Sequence, residues 1–479
     1  MRIMILADDC NPNWPSLPIV AYKAARAIAE AAEVVVITHV RNRENIQKAG
    51  FGKAQVRYVD SEYIARPMFK FARLLRGGTD SAWTTAVAMS YPSYLAFEWE
   101  VWKAFGSELR AGAFDIVHRL TPMSPTLPSP MAAWSPIPFV LGPLNGGLKW
   151  PRAFGEELAR EREWLSYIRA AYRALPYQKS TYRRSAAILA AFQHTIDDLP
   201  KAAQARAINF PEVGVDPDIF HQTSQRTVSK KKTILFVGRL VPCKMPQLVV
   251  KCFIQSRFLR AHNLVIVGDG PERPAIERLI GAHGLEKQVQ LLGWKSQADV
   301  AALMRSSDIF AFPSIRELGA GVIVEAMACG LACVVVDYGA PGSLVNFGRG
   351  LKVSADTSEE LTEKFARALE YLVEDDVAAL HIGMAAREHV MRHFTWDAKA
   401  KKMLAVYDFA VGRTARPDFW GGYRPCPQRL EPSRPTIDRR TVVRDRDLSG
   451  YYRRGSRFDG RCRELNLQPV TCAADVLGG

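Results

Sequence analysis

The chain predicts an α/β protein of two domains, each built on a parallel sheet. Three observations carry this. Short apolar runs at 234–237 (ILFV), 264–267 (LVIV) and 309–312 (IFAF) end at glycine or proline, as buried strands do. Longer stretches with helical periodicity lie between such runs, and the alternation of strand and helix is that of a parallel sheet covered on both faces. A length of 479 residues with 48% hydrophobic content is too much for one ordinary core and enough for two.

In the first half the expected strands are 1–7, 34–40, 56–59, 115–118, 138–142 and 187–191, with helices such as 19–32 and 92–112 between them. This is a Rossmann-like layer sandwich, and the first domain is set at 1–205. A polar connector at 221–232, ending in Lys230, Lys231 and Lys232, lies near the start of a second domain at 206–394. After residue 395 a helical stretch runs to 411. Residues 412–479 differ in kind: fourteen arginines, eight acids, no lysine and little periodicity, a composition expected to be disordered.

Charge and leader signals narrow the class. The net charge of +15 draws about six units from that tail, which reads either as a basic arm for anionic membrane or polysaccharide or as a solvated extension. The segment 66–76 (RPMFKFARLLR) alternates cations with apolar residues, as in a helix lying on anionic lipid or in a core-facing helix with a charged outer face. No recognised nucleic-acid motif accompanies the charge, so nucleic acid is not expected as a partner. Residues 1–7 read as a strand rather than a leader, and no apolar run approaches the roughly 18 residues of a membrane span. The expected location is the cytoplasm, with peripheral contact at the cytosolic membrane face. Eight scattered cysteines without a Cys-x-x-Cys pair point to reduced thiols and no structural metal.

The most informative stretch is 309–336, which places Glu317 and Glu325 eight positions apart across a small-residue turn. A strand ends before Pro313, and a helix starts after Gly319, Ala320 and Gly321. An uncluttered helix N-terminus offers backbone N–H groups and the positive end of its dipole to a phosphate or diphosphate. One carboxylate then stands on each side, and both accept from hydroxyls, which describes a nucleotide sugar. Upstream, Gly238, Arg239 and Lys244 leave the carboxyl end of the strand at 234–237, where open α/β sheets bind ligands. Taken alone, an E-x7-E is an ordinary strand-loop-helix with solvated glutamates.

In series, GRLVPCK, LVIVGDGPE, LLGW, SSDIFAFPS and E-x7-E resemble the carboxyl-terminal donor domain of the family 4 (group 1) retaining glycosyltransferases of the GT-B fold. The resemblance is strong over about 233–345. Weaker echoes at 114–122, 214–220 and 393–407 extend it over most of the chain up to about 411. It implies two Rossmann-like domains facing across a cleft, with residues 395–411 crossing back onto the first.

The resemblance further implies a nucleoside-diphosphate sugar donor, transfer with retention, and an acceptor that is lipid-linked, a polysaccharide or a small molecule. Arg239 and Lys244 would stabilise the leaving diphosphate, Glu317 would hold the transferred sugar, and Glu325 the ribose. Gly238, Gly268, Gly293, Gly319, Ala320, Gly321 and Val322 would line the donor. His118, after a strand in the first domain, is a candidate to orient acceptor or donor sugar, or else a satisfied structural residue. No cofactor and no obligate metal are expected, since the cations present could do a metal's work.

Departures from the family pattern are visible. Leu120 stands where a second histidine is common, residues 10–16 (CNPNWPS) replace a Gly-Gly loop and must be stiffer, Leu318-Gly319-Ala320 replaces Gly-Phe-Gly, and Ser343 takes a later acidic position. The glycine loop 142–147 could form part of an acceptor wall. Two rival readings remain: another GT-B enzyme such as a nucleotide-sugar epimerase, and a non-catalytic protein that binds a sugar nucleotide.

Overall fold

The computed structural model describes residues 1–75, 91–151, 153–155, 171–222, 229–346, 348–354 and 357–420. Two separate parallel sheets are present, as the alternating pattern predicts. The first holds β1 (Arg2–Ala7), β2 (Glu33–His39), β3 (Gln55–Val59), β4 (Ile116–Thr121), β5 (Phe139–Leu144), β6 (Ser185–Ala190) and β7 (Ala207–Asn209), in the order β3-β2-β1-β4-β5-β6-β7. The second holds β8 (Thr233–Val237), β9 (Asn263–Val267), β10 (Val289–Leu291), β11 (Ile309–Phe312), β12 (Ala332–Val336) and β13 (Leu351–Val353), in the order β10-β9-β8-β11-β12-β13. The neighbours β1 and β4, and β8 and β11, are the points where strand order reverses.

Central strands such as β1, β11 and β12 are buried on both faces, which is why they read as unbroken apolar runs, whereas the edge strand β3 alternates exposed and half-buried residues. In β1 successive residues feed opposite layers: Ile3 and Ile5 join one cluster, Met4 and Leu6 the other. The helices used below are α1 (Leu17–Ala31), α2 (Pro246–Gln255), α3 (Gly321–Ala328) and α4 (Trp396–Ala410). The crossing back is found as expected: α4 puts Ala400, Met403, Val406 and Tyr407 into the core of the first domain, beside Ala21, Ala25 and Ile28 of α1. Its start is pinned to the inter-sheet segment, since a Cβ on Gly214 would come within 2.9 Å of the Trp396 ring.

Two expectations on boundaries need correcting. The first sheet runs past 205, because β7 at 207–209 is its edge strand. The tail is not wholly detached: Arg416 donates to the carbonyl oxygens of Ala205 and Ala207, Trp420 Nε1 donates to Asn209 O at 3.0 Å, and Phe419 packs edge-on against Phe210. Residues 413–420 thus cover the exposed edge of β7, one remedy for an open sheet edge. The rest of the tail, 421–479, lies outside the described residues, whereas residues 66–75 of the basic stretch fall in a helix, Glu62–Leu75.

None of the five described cysteines is in a disulfide, in line with the expected thiols. Among the described residues no helix is long and apolar enough to cross a membrane.

Candidate functional site

The carboxyl ends of the two sheets face each other. Residues just after β5 meet residues just after β11 and β12: Tyr338 Oη donates to Lys149 O at 2.7 Å, Arg316 lies over the Trp150 ring at 5.2 Å, and a Cβ on Gly339 would come within 2.8 Å of Leu148. Parallel α/β sheets bind ligands outside their carboxyl ends at the reversal point. In the second sheet that point lies between β8 and β11, which deliver Gly238–Lys244 and Pro313–Val322.

Lys244 closes a short 3-10 turn, Pro242–Lys244, and its Nζ donates to Glu317 Oε2 at 2.7 Å. The two side chains are only 14% and 20% exposed, so this is a partly desolvated ion pair rather than a solvated surface one. Nζ also lies 5.1 Å above the Phe312 ring. A Cβ on Gly238 would stand 3.3 Å from Lys244 Cδ, so glycine there gives the lysine stem its space. Arg239 is exposed at the end of β8.

Helix α3 begins at Gly321 with no side chain capping it. Ala320, before it, sits at φ 52°, and Met245, after Lys244, at φ 46°. Such left-handed residues cost of order 1–2 kcal/mol when they carry a side chain. With Ser16 at φ 71° in the loop after β1, three of the four described non-glycine residues in this conformation lie on loops at the carboxyl ends of the sheets. Strain concentrated there marks loops held in place by their surroundings.

Glu325, inside α3, is half-buried, with Gln297 Nε2 3.5 Å away. Desolvation raises its pKa to about 7, and Lys23 of α1, reaching from the first domain, opposes the shift. Gly238, Gly268 and Gly293 are stitched together: Gly238 N–H donates to Val267 O at 2.9 Å and Gly268 N–H to Gly293 O at 2.8 Å. A Cβ on Gly268, which has φ 133°, would run into the Gly238 carbonyl. The evident work of Gly268 and Gly293 is close packing of the β8, β9 and β10 turns, beneath whatever Gly238 faces.

His118 must be corrected. Strand β4 extends to Thr121, so His118 is mid-strand and fully buried rather than at a strand end. Nε2 donates to Gly142 O at 2.6 Å, and Nδ1 accepts from Tyr407 Oη at 2.7 Å. Both nitrogens are engaged, which ties β4 to β5 and to α4 and leaves nothing to offer a substrate. Leu120, where a second histidine is common, is buried in the core.

Burial lowers the His118 pKa to about 4. Its neutral form therefore contributes about 3 kcal/mol of stability that is present above pH 6.5 and lost progressively as pH falls towards 4. His39, His389 and His393 shift the same way, also through desolvation. We expect the melting temperature to drop over this window, and more shallowly in His118→Gln. Equal slopes for variant and wild type in pH-resolved thermal unfolding would contradict the assignment.

The loop after β1 is anchored by side-chain hydrogen bonds. Asn11 is fully buried and donates to Asn42 Oδ1 at 3.2 Å, while its Oδ1 accepts from Asn45 Nδ2 at 3.0 Å. Asp8 pairs with Arg41 at 3.1 Å. Ser343, which departs from the acidic residue of the family pattern, spends its hydroxyl on Gly339 O at 2.9 Å.

Three residues at the junction were missed by sequence reasoning. Glu212, only 3% exposed, accepts from Asn145 Nδ2, and a Cβ on Gly319 would collide with its Oε1. Desolvation raises its pKa to about 7, opposed by its own backbone N–H, the Asn145 hydrogen bond and the charge of Lys399, and reinforced by Glu317. Lys399 of α4 donates to Pro211 O, and burial lowers its pKa to about 7. The only sequence hint was the placing of an acid and an amide in the turns 142–147 and 211–216.

Two facing parallel-sheet domains with a cation-lined reversal point define a GT-B architecture, and comparison with known proteins agrees. Residues 219–388 match the model of the family "Glycosyl transferases group 1". The chain is similar to D-inositol 3-phosphate glycosyltransferases: 31% identical over 189 residues to that of Corynebacterium glutamicum, covering 38% of this chain and 44% of the relative, and 28% over 226 residues to that of Mycobacterium tuberculosis, covering 44% and 45%. The chain thus spans less than half the length of these curated relatives. The whole fold is similar to a Rickettsia africae glycosyltransferase (TM-score 0.56, 16% identity, 86% of this chain and 99% of that one). It is also similar to Anabaena HepE solved with UDP and glucose (TM-score 0.53, 16% identity, 85% and 99%).

Proposed function

We propose that the chain is a retaining glycosyltransferase resembling family 4, which moves a sugar, of hexose type, from a nucleoside-diphosphate sugar to a lipid-linked, polysaccharide or small-molecule acceptor. The observation that carries the reading is the Lys244–Glu317 ion pair at the β8/β11 reversal point, with Arg239 and the uncapped start of α3 beside it. The match of residues 219–388 to group 1 glycosyl transferases supports it.

Bond cleavage at the anomeric carbon sends negative charge onto the diphosphate, so fixed positive charge there stabilises the transition state more than the ground state. Lys244, Arg239 and the N–H groups of Gly321 and Val322 supply that charge. A phosphate drawing Lys244 would release Glu317 to accept from sugar hydroxyls. Glu325 would take the ribose.

Among UDP-, GDP- and ADP-sugars, at least one is expected to raise the melting temperature. Transfer should survive excess EDTA, since the protein's own cations neutralise the diphosphate. Stabilisation by none of them, or inhibition by EDTA reversed by Mg²⁺ or Mn²⁺, would count against the reading.

A binding-only protein is the second reading, favoured by the burial of His118 and of Leu120. It would show the thermal shift and no turnover. Peripheral contact with anionic membrane draws support from Trp99, Trp102, Trp134 and Tyr177, which cluster on the first domain with Trp99 and Tyr177 exposed, because such aromatics suit the headgroup layer.

A further inference from the structure

We infer that Glu212 and Asn145 form a hydroxyl-binding subsite for the transferred sugar, an inference that rests on the proposed function and extends it to residues outside the donor domain's motifs. Glu212 follows β7, and Asn145 follows β5. Asn145 Nδ2 donates to Glu212 Oε1, but Glu212 Oε2 and Asn145 Oδ1 are both buried without a hydrogen-bond partner. Buried polar atoms are nearly always paired, so two adjacent orphans call for an explanation. Both are acceptors. The partner of Asn145 Oδ1 must be a donor, as must that of the ionised Glu212 carboxylate, which disfavours a phosphate and fits ring hydroxyls.

Position selects the donor's sugar. Gly319, two residues beyond Glu317, packs so tightly on Glu212 that any side chain there would strike the carboxylate, and the charge of Glu317 is felt at Glu212. The nearby ammonium of Lys399 is already given to Pro211 O and the Phe210 ring. A sugar held by Glu317 thus borders Glu212 and Asn145, and its hydroxyls reach them by parting the Gly319 backbone from the Glu212 carboxylate. The raised pKa of Glu212 accords with a carboxyl group kept from water.

The test compares a nucleotide with its sugar, without acceptor. Calorimetric titration of wild type, Glu212→Gln and Asn145→Ala with UDP and UDP-glucose, or with GDP and GDP-mannose if those are what wild type binds, reads the two halves of the donor separately. Both variants should lose about tenfold in affinity for the nucleotide sugar, the scale of one hydrogen bond to a buried charged or polar group. Affinity for the bare diphosphate should stay the same. Glutamine keeps the size of Glu212; should it fail to fold, Asn145→Ala carries the comparison alone. Parallel loss for nucleotide and nucleotide sugar, or no loss for either, overturns the subsite. Wild type that binds no nucleotide sugar removes the proposed function and this subsite together, whereas a binding wild type with unaltered variants removes the subsite only.

Discussion

Lys244→Ala and Arg239→Ala are each expected to lower turnover by about 10²-fold or more, the scale of losing one preorganised charge-stabilising group. The two should differ in character. Arg239 is exposed, so its removal should leave the melting temperature unchanged. Lys244 is the partner of a carboxylate in a partly desolvated pair, so its loss leaves Glu317 without its cation and should also reduce stability. Arginine should not rescue Lys244→Ala, because the stem of Lys244 lies within 3.3 Å of a Gly238 Cβ position and over Phe312, space cut for a slim chain ending in a point charge. Steady-state kinetics of both alanine variants decides the matter: near-normal turnover in both would remove these cations from the leaving group.

The donor half of this protein is legible from sequence because its information is local. Strands such as 234–237 and 309–312 are buried on both faces and read as continuous apolar runs, and the residues that follow each are positioned by the strand itself. That logic placed Lys244 and Glu317 at one sheet reversal though they are 73 positions apart. It failed wherever position depends on distant chain. His118 looked like a strand end because the run stops being obviously apolar at Arg119; in fact Arg119 is buried, donating to the carbonyl oxygens of Leu127, Pro122 and Ser124, and so lets the strand continue.

Strand β7 is three residues long, too short for any periodicity to show. Glu212 gains meaning only from Asn145, 67 positions earlier, and Gly319, far later. The docked start of the tail was hidden by composition: arginine, proline and glycine dominate, while the anchors are Arg416 and the pair Phe419-Trp420, the last of which also lies 4.1 Å from Lys402 Nζ.

Exchange of Glu317 for alanine should depress kcat, whereas exchange of Glu325 should mainly raise the donor KM. Glu325 lies within α3, beside Gln297, and faces the unreactive nucleoside in the proposed pose, so its contact is made equally in ground and transition states. Its half-buried carboxylate, with a pKa near 7, should make that KM effect pH-dependent, because the protonated form accepts poorly from ribose hydroxyls. Glu317 has a different problem. Lys244 holds it in an ion pair, so a diphosphate that takes the lysine frees it as an acceptor for the sugar. That exchange couples recognition of the leaving group to positioning of the sugar, and it places the Glu317 contact where charge develops. Glu317→Gln should keep the size of the side chain while losing the ion pair, and so should bind donor well yet turn it over slowly. Varied-donor kinetics on the alanine and glutamine forms of both residues tests the division: if Glu317→Ala moved only KM while Glu325→Ala abolished kcat, the two roles would be reversed.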